Sequence, residues 1–211
     1  MDQKKGTDRQ LHIRKLAAEI MGLAHDGILI NMRFLDVALS RLKVECREQT
    51  GAHLFDGAKL YYDPARLLGQ YKKARGYAAR LYLHTLLHCI FYHGFETDKM
   101  NRQYWDLATD IAVEHTILDM NLHLTALPTD DLLQNRLEIL EKQAGGLTAE
   151  KLYRHFRIEE PSEKAKAEWH KLCHYDEHIY WDRREELELS QAEWRKVSER
   201  IKADLKSFSK D

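Results

Sequence analysis

Apolar positions recur with helical spacing through most of this chain. Leu11, Ile13, Leu16, Ala17, Ile20 and Leu23 follow the three-to-four-residue period across 8–24, and residues 27–43 repeat it. Both stretches predict packing helices. Across 43–63 the pattern changes. Val44 and Cys46 alternate with polar neighbours, and short apolar runs flank Asp56-Gly57, a turn dipeptide. This predicts a small antiparallel sheet of two or three strands. Asp63 and Pro64 then mark a helix start, as N-cap and first helical residue. Helical spacing resumes over 64–78 and 78–93, the second helix closed by Gly94 as C-cap. It continues over 104–114, 129–143, 148–157 and 183–208, with Thr129 and Thr148 as caps. The expected class is α+β, mostly helical, with the small sheet packed over the 78–93 helix.

That helix carries the chemistry. Residues 81–93, LYLHTLLHCIFYH, are apolar nearly all round, as in a buried helix, yet include His84 and His88. At about 100° per residue, positions four apart lie about 40° from each other on one face. Both imidazoles can therefore reach one metal ion. Buried imidazoles need partners, so the competing reading is two core histidines hydrogen-bonded to carboxylates. Zinc at a catalytic site takes three protein ligands and keeps a fourth position open. Asp110 is the leading third candidate: Leu107, Ala108, Ile111 and Ala112 turn it towards the interior, where a carboxylate needs a cation. Glu114, one turn on, can hydrogen-bond the far nitrogen of a ligating His. A solvated acidic face is the alternative for both acids. His93 is the alternative third ligand, provided the helix ends before it.

The pattern His84-x-x-x-His88-x-x-x-x-His93, then Trp105-x-x-Ala108-x-Asp110-x-x-x-Glu114, resembles the metallopeptidase-type domain that precedes a VWA-like domain in bacterial proteins. That family is similar to zincins. The resemblance implies a zincin-like core with a small sheet over the motif helix. It implies zinc held by His84, His88 and Asp110, a supporting role for Glu114, and a protein or peptide as the molecule acted on. It also implies work beside an AAA+ ATPase of the MoxR type. An edge strand of the sheet would pair with a substrate backbone; a plain covering hairpin is the other reading. Thr85 stands where the general-base Glu of His-Glu-x-x-His would be. Hydrolysis is therefore expected to be lost or weak, unless Glu114, Glu96 or Asp176 supplies the base. A third reading is a non-enzymatic interaction module without metal. The VWA-like domain is not among these residues, so the chain is a short member of that family or a piece of a longer protein.

Composition narrows the picture further. The expected division of the 211 residues is a zincin-like domain over 1–160 and a helical extension over 161–211 that packs on it. Net charge is −1, from 33 basic and 34 acidic residues, which argues against a nucleic-acid partner. Cys46, Cys89 and Cys173 are scattered and odd in number, as suits a reducing compartment. No apolar leader or membrane-length run is visible, so the expectation is a cytoplasmic protein without membrane contact. Lys72, Lys73, Arg75 and Arg80 read as a solvated basic face. A second histidine-rich stretch, WHKLCHYDEHIYW at 169–181, has three readings. It is a separate metal site, or a segment folded back to line the first one, or a polar surface with aromatic packing.

Overall fold

A computed structural model describes residues 2–57, 59–94, 100–178 and 184–208, with side chains for 8–57, 59–94, 100–178 and 191–205. Among these the order is α1 (Asp2–Asn31), α2 (Asp36–Arg41), β1 (Lys43–Cys46), β2 (Leu54–Phe55), β3 (Lys59–Tyr62), α3 (Pro64–Lys73) and α4 (Tyr77–Ile90). Then come α5 (Arg102–Met120), α6 (Asp130–Ala144), α7 (Ala149–Glu159), α8 (Glu163–Cys173) and α9 (Arg184–Phe208). Short 3-10 turns cover Arg33–Leu35 and His123–Thr125. The fold is mostly helical α+β.

Every residue of α4 is buried. Helices α1, α3, α5 and α9 pack around it, and α8 packs on α5. Ser198 of α9 donates to the Ile90 carbonyl at 2.8 Å, tying α9 to the end of α4.

Four expectations change. The two helices expected over 8–43 are one helix to Asn31, a 3-10 turn and the short α2. Ala17, Ile20, Met21, Ala24 and Ile28 form one buried stripe that carries α1 straight through Gly27, while Leu11, Leu16 and Leu23 point outward. The sheet is mixed rather than antiparallel. Its order is β1-β3-β2, with β1 parallel to β3 (Lys43 opposite Lys59, Cys46 opposite Tyr62) and β2 antiparallel to β3. The turn at Asp56 folds β2 onto β3, Asp56 Oδ1 accepting from Lys59 N at 2.7 Å. The chain reverses between β1 and β2, so β1 enters on the other side of β3 running the same way.

The third change is at the end of α4, which stops at Ile90, before Gly94. Tyr92 takes the left-handed conformation at φ 61, and His93 N donates back to His88 O at 3.1 Å. This is a Schellman-type closure with a tyrosine in the position glycine usually fills. It folds His93 back against α4. Lastly, the boundary between the helices expected over 64–78 and 78–93 falls earlier, between Lys73 and Tyr77; at Gly76 a Cβ would lie 2.3 Å from the Ala126 carbonyl oxygen.

Candidate metal centre

Three separate parts of the chain meet beside α4. The helix itself offers His84, Thr85 and His88, all buried. Helix α5, capped by Asn101 Oδ1 accepting from Tyr104 N, offers Asp106, Asp110 and Glu114 along one side. The segment after α8 brings His174, Asp176 and His178. It is held against the sheet edge by Glu177, whose N donates to His53 O at 2.8 Å and whose O accepts from Phe55 N at 3.2 Å.

Among the described residues, one ligand atom from each of His84, His88, Asp110 and His178 lies within 4.8 Å of all the others. His84 Nε2 and His88 Nε2 are 3.0 Å apart. Asp110 Oδ1 is 3.6 Å from the first, 3.4 Å from the second and 3.4 Å from His178 Nε2. A tetrahedron of ligands about 2.0–2.1 Å from its centre has edges of about 3.3–3.4 Å. The spacing therefore matches a set of donors around one ion.

His84, His88 and Asp110 are also held from behind. Glu114 Oε1 lies 2.8 Å from His84 Nδ1, and its other oxygen accepts from Arg80 Nε at 2.8 Å. His93 Nδ1 lies 3.1 Å from His88 Nδ1. His178 Nδ1 faces Asp106 Oδ1 at 3.7 Å. His174 Nδ1 lies 2.9 Å from Asp110 Oδ2, which leaves Oδ1 turned inward. Partners of this kind fix ring orientation and tautomer in metal sites.

The electrostatics give a second sign of fit. Burial opposes charge on His84, but Asp110, Glu114 and Asp176 outweigh it and raise its pKa to about 9. Burial is likewise overcome at His178, raised to about 10 by Asp110, Asp106 and Asp176. His88 falls to about 4, through burial first, against the pull of Asp110, and then through the neighbouring histidines. Burial would raise Asp110 and Asp176, yet the histidines around them hold both well below the usual carboxylate range. The metal-free cluster is thus two carboxylates balanced by protons on imidazoles. Even so, Asp110 Oδ1 and Asp176 Oδ1 are buried without a hydrogen-bond partner among the described residues. A divalent cation satisfies that deficit, so the residues fit a metal.

The structure places the sequence candidates plainly. His84, His88 and Asp110 share one point, and Glu114 stands behind His84. His93 meets the outer nitrogen of His88 rather than the shared point. Thr85 Oγ1 donates to Asp176 Oδ2 at 2.9 Å, with Leu81 O also 3.1 Å away. The 174–178 segment lines the main site, and a pocket of about 660 Å³ between α5 and α8 opens beside Asp110, His174 and His178. Arg80, read from the sequence as solvated, is 1% exposed and belongs to this centre. It sits one turn before His84 on an otherwise apolar helix, which was the available signal. Glu96 lies outside the described residues.

No curated protein and no solved structure matches the chain. The model of one protein family matches residues 22–203, and so covers the motif helix, α5 and the 174–178 segment alike. The chain belongs to that family, which is described as a "putative metallopeptidase domain".

Proposed function

We propose that this protein holds one divalent transition metal at His84, His88, Asp110 and His178 and uses it for slow hydrolysis of peptide bonds. The observation that carries the reading is the convergence of these four donors, with hydrogen-bond partners behind His84, His88 and Asp110. Three imidazole nitrogens and one carboxylate oxygen suit zinc among the common ions, and do not suit magnesium or calcium. When bound, the metal supplies Lewis acidity to a carbonyl oxygen and to an attacking water.

The chain's own residues do the rest. Glu114 keeps a proton on His84 Nδ1, so the Nε2 lone pair faces inward. His93 does the same for His88, and His174 turns Asp110 Oδ1 to the centre. A peptide reaches the centre through the pocket beside α5 and α8. Its wall mixes Arg102 and Lys166 with Asp106, Glu163 and Glu177, so groups of both signs line the path. Two features keep turnover slow. Four protein donors fill a tetrahedral set, whereas catalytic zinc sites keep one position open. Thr85 contributes no base of its own. These same features support a second reading, a metal-stabilised module without turnover.

Metal analysis of protein purified without chelator tests the first step. One zinc per chain, lost in His84→Ala, His88→Ala and Asp110→Ala variants that still fold, is the expected result. Chelator-sensitive cleavage of an unfolded protein then separates slow turnover from none.

A further inference from the structure

Position 85 has no carboxylate, yet a carboxylate stands beside it. Asp176 is wholly buried. Its Oδ2 accepts from Thr85 Oγ1 at 2.9 Å. Its Oδ1 faces His84 Nε2 at 3.6 Å and His178 Nε2 at 3.5 Å, and has no hydrogen-bond partner among the described residues. A buried polar atom of that kind calls for a reason. The backbone around it is fixed, since Glu177 forms a parallel bridge with Leu54 of β2. Asp176 is therefore positioned by the sheet edge on one side and by Thr85 on the other. The other acids have different tasks. Both oxygens of Glu114 are engaged, by His84 and Arg80. Asp110 gives Oδ1 to the donor group and Oδ2 to His174.

We propose that Asp176 is the catalytic carboxylate of this site, taking the place of the acid that position 85 lacks, and that Thr85 is its positioning residue. The proposal rests on the metal-centre reading above. In the step, the oxygen of the attacking water bonds to the carbonyl carbon while its proton passes to Asp176 Oδ1. That proton moves on to the amide nitrogen as the C–N bond breaks. A carboxylic acid and an amine leave, and Asp176 is restored. A threonine at 85 suits this arrangement, because a glutamate there would bury two like charges side by side.

The test uses the full chain loaded with zinc, with affinity measured by competition against a chromogenic chelator and cleavage measured on a labelled unfolded protein. Asp176→Asn is expected to keep zinc affinity within about threefold, less than the loss of a supporting residue brings. It is expected to lose about 100-fold or more of the chelator-sensitive cleavage. Thr85→Val should lose about tenfold, the worth of a hydrogen bond to a charged group, while Thr85→Ser retains cleavage. This pair is read in the same way if Asp176→Asn fails to fold. Thr85→Glu alone should lower the melting temperature, and Thr85→Glu with Asp176→Ala should restore both stability and cleavage. Unchanged cleavage in Asp176→Asn overturns the proposal. So does a loss of more than about tenfold in its zinc affinity, which would make Asp176 a metal ligand. Absence of chelator-sensitive cleavage by zinc-loaded wild type overturns it as well. A wild type that binds no zinc fails earlier, at the metal centre itself.

Discussion

Glu114 joins the metal centre to a buried cation, so replacing it should have two separable effects. The side chain is fully buried, and its oxygens serve His84 Nδ1 at 2.8 Å and Arg80 at 2.7–2.8 Å. In Glu114→Gln one acceptor oxygen remains where there were two, so either His84 or Arg80 is satisfied, but not both. Removing one partner of a buried ion pair costs about 3–5 kcal/mol. Arg80 keeps Asp130 Oδ1 and the Thr125 carbonyl, each at 3.3 Å, which places the cost at the lower end. About 3 kcal/mol corresponds to a fall of roughly 6–12 °C in melting temperature for a chain of this size. Zinc affinity should fall about 10–100-fold as His84 loses its orienting partner. Differential scanning calorimetry of metal-free protein and chelator competition measure the two effects. Adding Arg80→Met should return most of the lost stability, because the uncompensated charge is gone, while affinity stays below wild type. A Glu114→Gln protein that melts within about 2 °C of wild type and binds zinc equally well would refute the reasoning.

Other consequences follow from the same structure. The raised pKa values of His84 and His178, about 9 and about 10 against an ordinary 6.5, stabilise the metal-free fold fully below pH 6.5. That contribution is lost as pH rises through the folded-state values, so metal-free protein should melt lower at about pH 10 than at about pH 6. Zinc must displace those protons, so the zinc-induced rise in melting temperature should grow between about pH 6 and pH 8; a flat response counts against the assignment. Gly76→Ala forces a Cβ to 2.3 Å from a backbone oxygen and should cost about 1–3 kcal/mol in denaturant unfolding, with no cost showing the approach to be looser. Leu86→Ala, in the fully buried α4, should cost about 2–5 kcal/mol and leave the zinc-to-protein ratio unchanged.

The sequence was most legible where chemistry and periodicity coincide. His84 and His88 stand out because two imidazoles four apart on an apolar helix are costly without a shared task. Asp110 and Glu114 stand out because apolar neighbours leave them a narrow stripe facing inward. The direction of the strands was not legible, since alternation is the same in parallel and antiparallel pairs. Nor was the return of His93, which depends on a tyrosine taking a left-handed turn. The largest gap concerns how Asp176 and His178 reach α4. Their distance along the chain from α4 is closed by two backbone hydrogen bonds of Glu177, to His53 and Phe55, and no local pattern predicts that pairing. Arg80 was misread because basic neighbours in 72–75 made it look like part of a solvated run.

Zinc K-edge X-ray absorption on protein purified without chelator tests the metal centre most directly. The account predicts one zinc with three imidazole nitrogens and one carboxylate oxygen at about 2.0–2.1 Å. It also predicts that His178→Ala removes the outer-ring scattering of one imidazole and keeps a nitrogen-or-oxygen first shell. A sulfur shell at about 2.3 Å, a shell without imidazole scattering, or protein that takes up no zinc after reconstitution would contradict it.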